Sequence, residues 1–307
     1  MALIFPPPLL PGSRVAVVAP SSPFRAEEFH RGIEWVRERY DVELSLNIED
    51  KQGYLAGSDE RRAAELAQAM SDPGIDAILC ARGGYGAMRI APGLPFEAMV
   101  QRPKWLVGFS DITCLHIMLN VRGIASIHGP HITGLGRDTG ERTKRAFLGV
   151  LERPANERVF AALEVIHPGR AVGTLFGGNL SLVESLATMG ELSMPKDTIL
   201  MLEDVTERPY RVDRMLTALI AGGHMRRVVG IVFGSFTECN PGPDGVRIEE
   251  VLRERTKKLG IPVMAGAPFG HGAENDSFVL GAAATLEVGS LTIHGARSPD
   301  DAPDSKR

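Results

Sequence analysis

Apolar residues in the first half of the chain come in short β-branched runs, separated by segments whose apolar positions recur every three or four residues. Arg14 to Ala19 reads as a strand, Ala26 to Tyr40 as a helix and Val42 to Leu46 as a second strand. Ser58 to Met70 reads as a helix with Ser58 at its N-cap, and Asp76 to Cys80 as a third strand. A glycine-rich turn, Ala81-Arg82-Gly83-Gly84-Tyr85-Gly86, follows it. The run Trp105 to Phe109 then stops at Gly108-Phe109-Ser110, and Ile112, Leu115 and Leu119 take up helical spacing until Gly123. Repeated βα units of this length predict an α/β domain built on a mostly parallel, doubly wound sheet.

The pattern changes from about Gly136 to Arg170, where the sequence is Arg-rich, turn-prone and weakly periodic, which predicts a connection between domains. Beyond it, strands are expected at Ala171 to Leu175, Thr198 to Leu202, Val228 to Phe233 and Leu286 to Ile293, with helices at Leu180 to Met189 and Tyr210 to Ala221. The expected division is an N-terminal domain over 1–135, a connection over 136–170 and a smaller mixed α/β domain over 171–307. The tail from Ala296 to Arg307, rich in Pro, Asp and Ser, is expected to fray.

Composition narrows the function classes. A chain of 307 residues that is 44% hydrophobic supports two packed cores and excludes global disorder. Its 34 basic and 38 acidic residues are interspersed and leave a net charge of −4, which argues against a nucleic-acid partner. Cys80, Cys114 and Cys239 are too far apart for a CxxC metal site or a disulfide framework and read as buried thiols. The segment Met1 to Pro11 lacks a basic start and is interrupted by Pro6-Pro7-Pro8, unlike a signal peptide. No window reaches the roughly 18 apolar residues of a membrane span, so a cytoplasmic protein with no membrane partner is expected.

The chemistry centres on Ser110. A serine on a strand-to-helix turn stands clear of the sheet at a helix N-terminus, where unpaired amides stabilise a developing oxyanion. Position 112 is Ile, so the full G-x-S-x-G pattern is absent, and an N-cap role is the plainer alternative. A serine nucleophile needs a base, and that base needs an orienting acid. Of eight histidines, His271 in Gly270-His271-Gly272 is the best base, because flanking glycines leave its ring unshielded. The acid is sought where the apolar strand Leu200-Met201-Leu202 ends in Glu203 and Asp204, with Glu203 facing a cleft and Asp204 or Glu207 capping the helix near Tyr210. The neighbouring Asp213-Arg214 suggests a fixed ion pair.

These residues resemble the LD-carboxypeptidases of serine peptidase type, which include murein tetrapeptide carboxypeptidases and the related microcin C7 immunity proteins. The likeness runs through Val15 to Ser21, Arg82 to Gly86, Gly108 to Thr113, His128-Gly129-Pro130, Gly177-Gly178-Asn179-Leu180, Leu202-Glu203-Asp204 with Tyr210 and Asp213-Arg214, and Gly270-His271-Gly272. It implies a flavodoxin-like N-terminal domain carrying the nucleophile and a smaller swivelling-type C-terminal domain carrying acid and base. The implied triad is Ser110, Glu203 and His271, with a site between domains and neither half active alone. The implied reaction releases the terminal D-alanine of a muropeptide tetrapeptide at an L,D bond in peptidoglycan recycling. No cofactor or metal is required, and a homodimer is expected.

Within that reaction the Asp111 amide is the natural first oxyanion donor, and the Gly83-Gly84 turn, through Gly84, the second. Arg82 at the rim of the turn, with Gly83, is a candidate for holding the substrate carboxylate. The chain departs from the family pattern at His131, where a Met is usual, at Ser277 to Gly281, where the family has Pro-Leu-Gly, and at Ala187 to Gly190. The first two departures bear on the pocket wall and on substrate choice. The alternative substrate is a peptide- or aminoacyl-nucleotide of the microcin type. An alternative of another class is a noncatalytic protein whose Gly83 to Gly86 turn cradles a phosphate. A metal site on His128 and His131 has no carboxylate or cysteine at ligand spacing.

Overall fold

The computed structural model describes residues 3–137 and 140–295. The tail from Ala296, expected to fray, lies outside the described residues. The chain divides into two compact units. The first takes in residues up to Asn156 together with Ser277–Gly281 and Gly295, and the second takes in Glu157–Asp276 and Ala282–His294.

In the first unit, β1 (Arg14–Val18) leads into α1 (Ala26–Arg37), β2 (Asp41–Leu44), α2 (Asp59–Ser71) and β3 (Ala77–Cys80). Two short helices follow, α3 (Ala87–Ile90) and α4 (Phe96–Gln101), then β4 (Trp105–Gly108), α5 (Thr113–Val121) and β5 (Ser126–His128). The helices α6 (Ile132–Gly136) and α7 (Glu141–Glu152) complete this stretch. α1 forms because Phe29, Ile33 and Val36 share a buried face, with Glu27 and Glu28 in its first turn and Arg37 in its last complementing the helix dipole. It ends three residues before Tyr40, the expected end. α2 carries the expected cap: the Ser58 hydroxyl accepts the Arg61 amide at 3.2 Å.

The second unit opens with the short strands β6 (Arg158–Ala161) and β7 (Glu164–His167), followed by β8 (Ala171–Asn179), α8 (Leu180–Thr188), β9 (Thr198–Val205) and α9 (Pro209–Ala221). It continues with β10 (Val228–Thr237), α10 (Ile248–Thr256) and β11 (Val263–Ala265). The chain then returns to the first unit for β12 (Phe278–Leu280) before closing the second with β13 (Ala283–Glu287) and β14 (Ser290–Ile293).

The first sheet has the order β12-β5-β4-β3-β1-β2, parallel except for β12, which runs antiparallel to β5. The order 2-1-3-4-5 is flavodoxin-like, so ligands belong beyond the carboxyl ends of β1 and β3, where the winding direction reverses. The second sheet has the order β6-β14-β13-β8-β9-β10-β11-β7, with a parallel centre β8-β9-β10-β11 between antiparallel flanks.

Several boundaries differ from the sequence reading. Residues 136–170 do not form a bare connection: they hold α7 in one unit and β6 and β7 in the other. The weak periodicity comes from two short antiparallel strands that follow a single helix. The run Leu286 to Ile293 is two strands of a hairpin, broken at Val288-Gly289, where Gly289 takes φ +78°. β8 runs on through Gly177 and Gly178, whose pairing with Met201 and Leu202 keeps two residues that resemble a turn inside the sheet. All three cysteines are buried and unbridged.

Candidate active site

Each unit carries part of the chemistry read from the sequence. In the first unit, Ser21 follows β1, Gly83 follows β3 and Ser110 follows β4, so all three stand at the carboxyl edge of the sheet that its winding marks as the ligand side. Ser110 has φ +59°, a left-handed conformation that serine adopts only under constraint. It opens a short 3-10 turn, Ser110–Ile112, that feeds directly into α5, placing the Asp111 amide among the first, unpaired donors of a helix. The chain makes this turn where Gly108 lets the Ile112 side chain pack against the strand end: a Cβ at Gly108 would lie 2.9 Å from Ile112 Cγ1.

Gly83 backs directly onto the serine. A Cβ there would lie 3.0 Å from Ser110 Cβ, 3.2 Å from Ser110 Oγ and 2.9 Å from His131 Cε1. The Gly83 carbonyl accepts the Ser22 amide at 3.2 Å. Because that peptide is trans and planar, the Gly84 N–H points to the side opposite Ser22. Gly84 holds φ +105°, which a side chain would resist, and its open flank packs on Ser22. Arg82 is exposed and donates to the Pro23 carbonyl.

Beneath the serine, four rings form a column. Phe278 stacks on His128 with centroids 4.9 Å apart, His128 tilts against Phe109 at 5.7 Å, and Phe109 stacks on His131 at 4.5 Å. His131 Nε2 lies 3.1 Å from the Phe109 carbonyl oxygen and 3.3 Å from its amide nitrogen. Both departures from the family pattern, His131 and the Ser277–Gly281 segment, therefore meet in the support under Ser110. Among the described residues no group of three or more His, Cys, Asp or Glu is placed to hold a metal ion.

The phosphate-cradle alternative fails on charge. α3 is a single turn, and the Ala87 amide at its start is taken by the Asp111 carboxylate at 2.8 Å, so a buried acid occupies the place where a phosphate needs donors.

In the second unit, His271 Nδ1 meets Glu203 Oε2 at 2.7 Å. The Glu203 side chain has no solvent exposure, against 21% for His271. A buried carboxylate at Nδ1 favours the tautomer that carries its proton there, which makes Nε2 the acceptor nitrogen of the ring. Glu203 continues its strand, as expected, but β9 runs on through Val205, and Glu203 pairs with Asn179 of β8. Asn179 Nδ2 donates to Glu203 Oε1 at 3.3 Å and to Asp204 Oδ1 at 3.1 Å, orienting both acids. Gly270, at φ +107°, makes room for the pair: a Cβ there would lie 2.7 Å from Glu203 Oε2 and 2.7 Å from Ser235 Oγ. The histidine loop is tied by the Gly270 amide to Asn275 Oδ1 at 3.1 Å and by the Gly272 amide to Ser235 Oγ at 2.9 Å.

Asp204 caps a different helix from the one expected. Its Oδ2 accepts the Ser181 amide at 3.0 Å and the Ser181 hydroxyl at 2.6 Å, at the start of α8. Burial raises its pKa to about 6. Asp213 pairs not with Arg214 but with Arg255 of α10, at 3.7 Å. Asn179 and Ser235 were missed as supports because their partners are distant in sequence, and Asn275 because its bond to the Gly270 amide five residues away depends on the fold of the loop.

Two family models match the chain, the LD-carboxypeptidase N-terminal domain over residues 15–129 and the LD-carboxypeptidase C-terminal domain over residues 172–286. The chain belongs to the LD-carboxypeptidase family. It is 33% identical to the murein tetrapeptide carboxypeptidase of Pseudomonas aeruginosa, over 91% of this chain and 94% of that protein. Among solved structures it is similar to muramoyltetrapeptide carboxypeptidase from Oxalobacter formigenes, with TM-score 0.84 and 27% identity, covering 93% of this chain and all of that one. It is also similar to an MccF-like protein from Bacillus anthracis, with TM-score 0.85 and 25% identity, covering 95% of this chain and all of that one. Within this LD-carboxypeptidase family, Ser110 falls in the N-terminal match, and Glu203 and His271 fall in the C-terminal one.

Proposed function

We propose that this chain is a serine-type LD-carboxypeptidase that releases terminal D-alanine from muropeptide tetrapeptides. The observation that carries the reading is the His271–Glu203 pair, an imidazole held at Nδ1 by a fully buried carboxylate. That arrangement serves general-base catalysis, and the family's carboxypeptidase names supply the substrate class.

In the proposed reaction His271 Nε2 takes the Ser110 proton as Oγ attacks the carbonyl before the D-residue. The Asp111 and Gly84 amides hold the oxyanion, and Glu203 stabilises the imidazolium. The imidazolium returns its proton to the leaving D-alanine nitrogen. Water, activated by the same imidazole, then cleaves the acyl-enzyme and restores the serine. Arg82 at the rim serves the substrate carboxylate. The family resemblance further supports a cytoplasmic homodimer acting in cell-wall recycling; among the described residues no helix is long and apolar enough to cross a membrane.

A second reading, hydrolysis of an aminoacyl-nucleotide of the microcin type, draws on the likeness to the MccF-like protein. Incubating the protein with a mixed pool of muropeptides and aminoacyl-nucleotides, followed by mass spectrometry, separates the two. Conversion of a tetrapeptide to the tripeptide with release of free alanine supports the first reading. Ser110→Ala must abolish whichever cleavage is seen.

A further inference from the structure

Between β1 and β4 the first unit buries two opposite charges that the proposed reaction does not use. Asp111 is 1% exposed and Arg62 is 0% exposed. Asp111 Oδ2 accepts the Ser21 hydroxyl at 2.6 Å and the Ala87 amide at 2.8 Å. Arg62 Nη1 donates to the carbonyls of Pro20 and Gly86, the latter at 2.8 Å, while Nη2 is anchored by Asp59. The two side chains therefore act on neighbouring residues of the same two segments: Asp111 holds the Ser21 hydroxyl and the Ala87 amide, and Arg62 holds the Pro20 and Gly86 carbonyls.

The grip bears on the glycine turn from both ends. Ser22, next to the Ser21 held by Asp111, donates its amide to the Gly83 carbonyl at 3.2 Å and accepts the Tyr85 amide on its hydroxyl at 3.1 Å. Ala87 closes the other end of the turn. Asp111 thus touches, through one carboxylate oxygen, both the loop that anchors the Gly83–Gly84 peptide and the residue at which the turn stops. Its own amide is the other oxyanion donor. Burying a carboxylate is costly: burial raises its pKa, and the two hydrogen bonds and the nearby Arg62 lower it. Its two hydrogen bonds tie together the segments at both ends of the glycine turn.

We infer that the Asp111 carboxylate is a positioning residue that sets the spacing between the Asp111 and Gly84 amides, and so the geometry of the oxyanion site. The inference rests on the serine-hydrolase reading above. It predicts a transition-state defect without a binding defect. Asp111→Ala lowers kcat on a D-alanine-terminated tetrapeptide by about 100-fold, with KM within about threefold, because the donors are misaligned only where charge develops. Asp111→Asn keeps an acceptor for Ser21 and Ala87 and recovers most of the rate. Ser21→Ala, which removes one of the two bonds, falls about 10-fold and serves as the probe if Asp111→Ala does not fold. Labelling of Ser110 by a fluorophosphonate, whose adduct carries an oxygen in the oxyanion position, slows in the same order.

Wild-type kcat in a folded Asp111→Ala or Ser21→Ala protein overturns the inference, as does a loss confined to KM or an Asp111→Asn protein no better than Asp111→Ala. A wild-type protein that labels normally but leaves every tetrapeptide intact overturns the substrate assignment alone, and the labelling series still decides the role of Asp111. A wild-type serine inert to the label removes the oxyanion site and this inference with it.

Discussion

The carboxylate of Glu203 lies 2.7 Å from His271 Nδ1 and reaches it from inside a sheet, with Asn179 Nδ2 on its other oxygen at 3.3 Å. An amide at position 203 keeps the shape but reverses the polarity of one contact, so the ring is presented in the wrong tautomer. Glu203→Gln is expected to lower kcat by about 10³- to 10⁴-fold while KM stays close to that of the wild type. Steady-state kinetics on a tetrapeptide, with circular dichroism as the control for folding, checks this.

Gly83 offers a subtler lesion. A methyl there meets Ser110 Cβ at 3.0 Å and His131 Cε1 at 2.9 Å, distances that force one neighbour to give way. Gly83→Ala is expected to slow fluorophosphonate labelling of Ser110 by about 10-fold or more, at a stability cost of about 1 to 3 kcal/mol. Labelling at the wild-type rate would show that the turn is looser than its packing implies.

His116 sits fully buried in α5, with Nε2 2.9 Å from the Gly108 carbonyl oxygen, and burial lowers its pKa to about 4. The unfolded chain, with an ordinary imidazole near 6.5, binds this proton more readily than the native state. Stability from this group is therefore complete above about pH 6.5 and is lost as the pH falls toward 4, by about 3 kcal/mol in all. Chemical denaturation at pH 7 and pH 4.5 should show a steeper loss in the wild type than in His116→Gln.

Asp204 has the opposite sign. Its pKa is raised from 3.8 to about 6, so the native state holds the proton more tightly than the unfolded chain. The associated stability is complete below about pH 4 and is lost as the pH rises through 6. Between pH 4.5 and 7.5 the wild type should lose about 2 kcal/mol relative to Asp204→Asn. Equal slopes in urea titrations of the two proteins would remove the assignment.

The parts of the molecule legible in sequence are those whose signal is local. The βα alternation of the first unit, the Ser58 cap and the Gly-x-Ser turn after Trp105 to Phe109 depend on residues a few positions apart, and all three are present. The α/β class follows from them. Contacts across long separations left no such mark. Phe278-Val279-Leu280 stood out only as a departure from the family pattern, because three residues carry no periodicity and the partner strand β5 lies some 150 positions earlier. Glu203 reads as continuing its strand, but the pairing with Asn179 and the histidine that hold it fully buried come from distant segments and leave no local mark. Asp111 was read for its amide only. Its side-chain task becomes visible once Ser21 and Ala87 are brought to the same oxygen.

The return of β12 to the first sheet has a practical meaning for anyone dissecting this gene. A fragment stopping at Asn156 would leave β5 as a bare rim, uncovering Ile127 and His128, both now 0% exposed, and removing Phe278 from the ring column under the serine. Such a rim invites pairing between copies, so the fragment should precipitate or form fibrous aggregates. Splitting the protein cleanly requires rejoining Ser277–Gly281 to the first half by a short linker, a graft across the reading frame and not a simple cut.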